Sequence, residues 1–147
     1  MRQEYKLTSK KRIILLSALG IIPFYFELII YLFDNELHNN NYLKIKQASS
    51  LYGILIISFL SGMHWERLIS EKKVKFYVLP MIPIIFLWGT LLFSQDTNFN
   101  ILVIIGLLWC LAFEMFFIET LEQWFIKIRL IVTFFALIPL FLIFFIV

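Results

Sequence analysis

Of the 147 residues, 61% are hydrophobic, 18% aromatic and only 16% charged, and the mean hydropathy is +0.88. Soluble domains carry about 45–50% apolar residues and about 25% charge, so a water-soluble globular fold is excluded and an integral membrane protein is expected. The net charge of +3 does not point to nucleic acid, because the basic residues stand in short runs beside apolar segments, where membrane topology signals belong. Cys110 is the single cysteine, so neither a disulfide framework nor a metal-ligand spacing exists, and no metal or cofactor is expected.

The chain opens with the basic "MRQEYKLTSKKR". The apolar run after it is too long for a signal-peptide core of roughly 7–15 residues, and no small-residue cleavage site follows. It reads as an uncleaved first helix. The absence of an extension of transit-peptide length before Ile13 favours a bacterial inner membrane over an organellar one.

A spanning helix needs about 20 mostly apolar residues. Five segments qualify, at 13–33, 48–65, 76–93, 101–118 and 130–147, giving an all-α, polytopic membrane helix bundle in one domain. Pro80 and Pro83 interrupt the third segment, so a four-span arrangement with a broken third helix is the rival reading. The stretch "SQDTNFN" leaves room only for a tight hairpin between the third and fourth spans.

Orientation follows from lysine and arginine. With five alternating helices, eleven of the thirteen fall on one side: the N-terminal tail, the loop holding Arg67, Lys72, Lys73 and Lys75, and the approach to the last span with Lys127 and Arg129. Only Lys44 and Lys46 fall on the other. The N-terminus is therefore expected on the cytoplasmic (or matrix) side.

Helical geometry at 100° per residue puts His64 on a stripe with Ser49, Ser50, Gly53, Ile57 and Ser61. Small and hydroxyl residues are what membrane helices use to approach one another, so His64 should face the bundle interior. Trp65 should sit at the interface. Glu27 shares a stripe with Gly20, Pro23 and Tyr31, and Glu114 shares one with Val103, Leu107, Cys110 and Ile118. An acidic residue at mid-helix costs roughly 2.5–3.5 kcal/mol on insertion scales. Each of the two is expected to face inward, neutral by protonation or paired with a donor. At about 1.5 Å per residue, Glu114 and His64 share the basic side of the bilayer midplane with Arg129, whereas Glu27 lies on the opposite side. Glu27 is left with Tyr31 or hydroxyls of a facing helix.

Three stretches, "LGIIPF" (19–24), "YGILIISFLSGMHWERLI" (52–69) and "WFIKIRLIVT" (124–133), together resemble the domain of unknown function 3429 family. Ser58, Phe59, Gly62, His64, Trp65, Trp124 and Arg129 match its pattern. Ser61 and Glu66 stand where that pattern has glycines, and Phe125 and Ile128 replace Tyr and Leu. The resemblance implies an inner-membrane bundle with no established reaction, and it implies that His64 and Arg129 belong to one cluster.

Three functions are compatible with these features. The first is a non-enzymatic structural or assembly component that contacts another inner-membrane complex. The second is a binder of a small membrane ligand, a quinone or a lipid headgroup, at a pocket of His64, Glu114 and Arg129 flanked by Trp65 and Trp124. The third is a proton or solute path through Glu27 and Glu114. His38 lies in the opposite loop from His64, about a bilayer thickness away, which excludes a bis-histidine haem. No hydrolase, metalloprotease or phosphate-loop motif occurs.

Overall fold

The structure, a computed structural model, describes residues 2–33, 40–93 and 99–146. Among these the regular structure is helical, without strands: α1 (Arg2–Leu19), α2 (Ile22–Phe33), α3 (Asn40–Ser70), α4 (Ile82–Phe93), α5 (Phe99–Phe117) and α6 (Gln123–Ile146). Two 3₁₀ turns, Val74–Phe76 and Leu79–Met81, lead into α4. Five stretches are long and apolar enough to cross a bilayer: Lys10–Phe33, Lys44–Ser70, Val74–Leu92, Phe99–Phe117 and Gln123–Phe145. The chain is a multi-pass membrane protein. His38 and most of the expected 94–100 hairpin lie outside the described residues.

Three boundaries differ from the hydropathy reading, each for a backbone reason. The first span is two helices. Pro23 has no amide to offer the Leu19 carbonyl, and the chain tightens into 3₁₀ spacing, with the Ile21 amide donating to the Ala18 carbonyl and the Phe24 amide to Ile21. Pro23 itself falls in the first turn of α2, where a missing donor costs nothing. The third span opens as 3₁₀ turns because Pro80 and Pro83 both lie in its first half, so its regular helix covers only Ile82–Phe93. The last helix starts seven residues before position 130, at Gln123, because residues 123–129, which include Gln123, Lys127 and Arg129, continue the helix beyond its purely apolar part.

α3, α5 and α6 form the middle of the bundle; α2 packs against α3 and α6, α4 against α3 and α5, and α1 leans on α6. Lipid offers no hydrophobic drive for helix association, so close van der Waals packing has to supply it. Two reciprocal contacts between α3 and α5 do this. A side-chain carbon on Gly53 would lie 2.6 Å from a Val103 methyl, and one on Gly106 would lie 2.5 Å from Ile57 Cδ1. Val103 and Ile57 are fully buried, each filling the space that the opposing glycine leaves. The outer surface is correspondingly apolar, with Phe33, Phe116 and Phe145 each about four-fifths exposed.

Candidate functional site

The interior stripe of α3 is buried along its length, from Ser49 and Ser50 through Gly53, Ile57 and Ser61 to His64. On α5 the stripe Val103, Leu107, Cys110, Glu114 and Ile118 is likewise buried. The α6 stripe begins at Arg129 and continues into buried Thr133, Ala136 and Leu140. The three stripes converge. His64 Nε2 lies 3.1 Å from Glu114 Oε1, and Arg129 Nε donates to both carboxylate oxygens, at 3.2 Å to Oε1 and 3.0 Å to Oε2.

Side-chain exposures of 1% for His64, 3% for Glu114 and 12% for Arg129 show how little water reaches the group. The histidine nitrogen approaches outside hydrogen-bond geometry, so its tie to Glu114 is an electrostatic contact. Arg129 supplies the formed bonds. In a low-dielectric interior a carboxylate with such a partner is tolerated, and one stripped of it is not. The His64 ring also lies against Phe113, with centroids 5.2 Å apart, and Phe113 stacks on Phe117 at 4.9 Å.

Arg129 reaches Glu114 only through Nε, and it also lines a cleft of about 320 Å³. The cleft lies between α1, α3 and α6 and is walled by Leu16, Phe59, Leu60, Met63, Phe125 and Ala136 among others, with Ser17 and Thr133 as further polar groups. It exists because α2 packs on both α3 and α6 whereas α1, beyond the break at Gly20, leans on α6. His64 and Glu114 stand behind Arg129 and do not line this space. Trp65 faces outward on α3, 43% exposed. Trp124 is at the start of α6, where Lys10 of α1 sits over its ring at 4.8 Å and its indole nitrogen donates to Glu122. Neither tryptophan flanks the cleft.

Glu27 is fully buried at the other end, where Asn100 Nδ2 donates to Oε1 at 3.4 Å. Ser49 of α3 is its hydroxyl neighbour.

A polar group that sequence reasoning missed closes the basic end. The Thr120 amide and hydroxyl donate to Glu71 Oε1 at 3.0 and 2.7 Å. Lys73 Nζ donates to the Phe117 carbonyl at 2.8 Å and to Glu119 at 2.9 Å, and pairs with Glu71 at 3.0 Å. The loop after α3 thereby clasps the loop after α5. Burial by itself works against ionising Glu71, yet the Thr120 hydroxyl and amide and the Lys73 ammonium outweigh it and hold the carboxyl below the usual carboxylate range. The Glu119 and Glu71 carboxylates hold Lys73 above its usual value.

These elements define an all-helical, multi-pass membrane protein with an interior imidazole–carboxylate–guanidinium cluster beside an apolar cleft. The family model described as "Protein of unknown function (DUF3429)" matches residues 9–145, and the chain belongs to that family. It is similar to Transmembrane protein 69 of Mus musculus, 29% identical over 141 residues that cover 91% of this chain and 56% of the relative. It is also similar to Transmembrane protein 69 of Xenopus tropicalis, 33% identical over 98 residues that cover 63% of this chain and 39% of the relative. The chain thus spans about half the length, or less, of these curated relatives. No solved structure matches it.

Proposed function

We propose that this chain is a non-enzymatic inner-membrane protein that holds a membrane amphiphile, a quinone or a lipid, in the cleft between α1, α3 and α6. The observation that carries the reading is Arg129 in the wall of a largely apolar space of about 320 Å³. Ligand pockets commonly measure about 300–1,000 Å³ and combine apolar walls with a few convergent polar groups. A guanidinium has five donors. Glu114 engages only Nε, so the remaining donors are available to a carbonyl, phosphate or carboxylate oxygen at the ligand head. Glu114 and His64 position Arg129 from behind. Thr133 offers a second hydroxyl contact, and the tail runs along Leu16, Phe59 and Met63. The positive-inside rule, with eleven of thirteen basic residues expected on the end that carries Arg129, supports a cytoplasmic (or matrix) side for this head site.

The test is purification of the full chain in a gentle detergent, with mass spectrometry of lipids, quinones and proteins in one preparation. A stoichiometric amphiphile should accompany the wild type, and its mass distinguishes quinone from lipid. Ser17→Phe, which fills the cleft from α1, should release it without altering the fold. Arg129→Lys keeps the charge beside Glu114 but loses the guanidinium fork, and should weaken retention at least tenfold. A protein partner bound equally by wild type and Ser17→Phe, with no retained amphiphile, would favour the assembly role instead.

A further inference from the structure

The far end of the bundle contains a second polar group that the cleft does not use. Glu27 on α2, Ser49 on α3 and Asn100 on α5 are 0%, 6% and 1% exposed. One weak bond joins them, from Asn100 Nδ2 to Glu27 Oε1 at 3.4 Å. Three of their oxygens, Glu27 Oε2, Ser49 Oγ and Asn100 Oδ1, are buried without a hydrogen-bond partner. Among the described residues no lysine or arginine forms an ion pair with Glu27.

An ionised carboxylate so placed would be a bare charge in hydrocarbon, which costs several kcal/mol even after relaxation. Glu27 Oε2 and Asn100 Oδ1 can only accept, and the single Ser49 hydroxyl can donate to one of them, which leaves the other unsatisfied. A single added proton resolves both problems, because it removes the charge and supplies the missing donor. A hard metal cation is a poorer match, since such ions take about six oxygen ligands and the group offers fewer.

We propose that Glu27, Ser49 and Asn100 form an occluded proton-binding site. The neutral carboxylic acid of Glu27 donates from Oε2 to Ser49 Oγ and accepts from Asn100 at Oε1. Binding is a simple protonation, carboxylate plus one proton giving the acid. Among the described residues the charged and titratable groups around it are few. Lys46 of α3 acts on Glu27 through space. Tyr25 and Tyr31 share its helix, and the α6 segment 130–146 carries no titratable side chain. Glu114, on the same helix as Asn100, is engaged by Arg129. The proton therefore serves to hold α2, α3 and α5 together at this end, and its loss would drive them apart.

Infrared spectroscopy of the full chain in lipid vesicles tests this independently of any cleft ligand. At neutral pH the wild type should show a carboxylic-acid C=O band that moves on transfer to D₂O and disappears in Glu27→Gln. Ser49→Ala, which removes the acceptor and keeps the acid, should shift that band to higher frequency; this arm stands alone should Glu27→Gln fail to fold. Carboxylate bands in place of the acid band in the wild type, or an acid band that survives Glu27→Gln, would overturn the proposal. So would a wild-type stability that rises with sodium concentration and loses that dependence in Glu27→Gln, since a metal ion would then occupy the group.

Discussion

The two ends of the bundle solve the same problem in opposite ways. At the basic end Glu114 is anchored by two hydrogen bonds from Arg129, with His64 against its other flank. At the far end Glu27 is met, among the described residues, by the Asn100 amide and the Ser49 hydroxyl, with Lys46 acting through space. Both acids are at most 3% exposed. The difference lies in what the neighbouring helices bring to that depth. α6 reaches Glu114 with a guanidinium because Gln123, Lys127 and Arg129 are interspersed in its opening turns, whereas its continuation past Leu130 carries no charged side chain. A buried acid beside a permanent cation is stabilised as an ion, and one without a cation is stabilised as a neutral acid.

This contrast can be broken most severely at the basic end. Arg129→Leu leaves Glu114 as an uncompensated buried charge and should lower stability by about 3–5 kcal/mol, measured by thermal or denaturant unfolding in detergent. Adding Glu114→Gln to that variant should restore most of the loss. Glu27→Gln, which replaces a neutral acid by a neutral amide of the same shape, should change stability by less than about 1 kcal/mol. A cost comparable to that of Arg129→Leu would mean the two acids are held alike.

Gly53 supports the far end one turn from Ser49. Gly53→Ala drives a carbon into both methyls of the stiff, fully buried Val103 and should cost about 1–3 kcal/mol. Gly106→Ala meets Ile57 principally at the end of its more pliable side chain and should cost less. Equal costs would show that the α3–α5 seam yields as a unit.

At the basic end the loop clasp sets a pH window. The Glu71 carboxyl is held below its ordinary 4.5, so its contribution is complete above that value and fades as pH falls through the depressed one. Lys73 is held above its ordinary 10.5, so its contribution is complete below that value and fades as pH rises through the raised one. Glu71→Gln should flatten the acid side of a stability–pH profile and weaken the alkaline side in part, since Glu119 alone would then hold Lys73. The smallest effect is expected at Lys72. It takes a left-handed φ of 58° in the turn that ends α3, where the Lys73 amide caps Leu68 and the Lys72 amide caps Ile69. Lys72→Gly should add roughly 0.5–1 kcal/mol, because glycine adopts that backbone without strain.

Burial was readable wherever a helix is long and regular. Every member of the His64 and Glu114 stripes is buried, because a 3.6-residue period translates directly into a face. Depth was readable too, since rise per residue is fixed, and it correctly separated Glu27 from Glu114. Asn100 was hidden because it stands at the edge of a stretch whose polarity suggests a turn, yet α5 already begins at Phe99. The Glu71–Lys73–Thr120 clasp left no signal, because contacts between loops have no periodicity to betray them. The outward position of Trp65 follows from the helical period of α3, whereas the engagement of Trp124 by Lys10 depends on how α1 leans, which only tertiary packing decides.

That lean has a mechanical consequence. At the break between α1 and α2 the Phe24 amide turns to Ile21, and the Gly20 carbonyl it would have bonded is taken instead by the Tyr52 hydroxyl at 2.8 Å. The segment from Lys10 to Leu19 is thus a helix that meets α2 at a tyrosine-pinned break and rests on α6, with Lys10 over Trp124. At about 1.5 Å per residue it is roughly 15 Å long, so a swing of about 10° displaces its tip by roughly 2.5 Å. Because Ile13, Leu16 and Ser17 of this helix wall the cleft that Arg129 lines, the width of that cleft is set by the angle at the break.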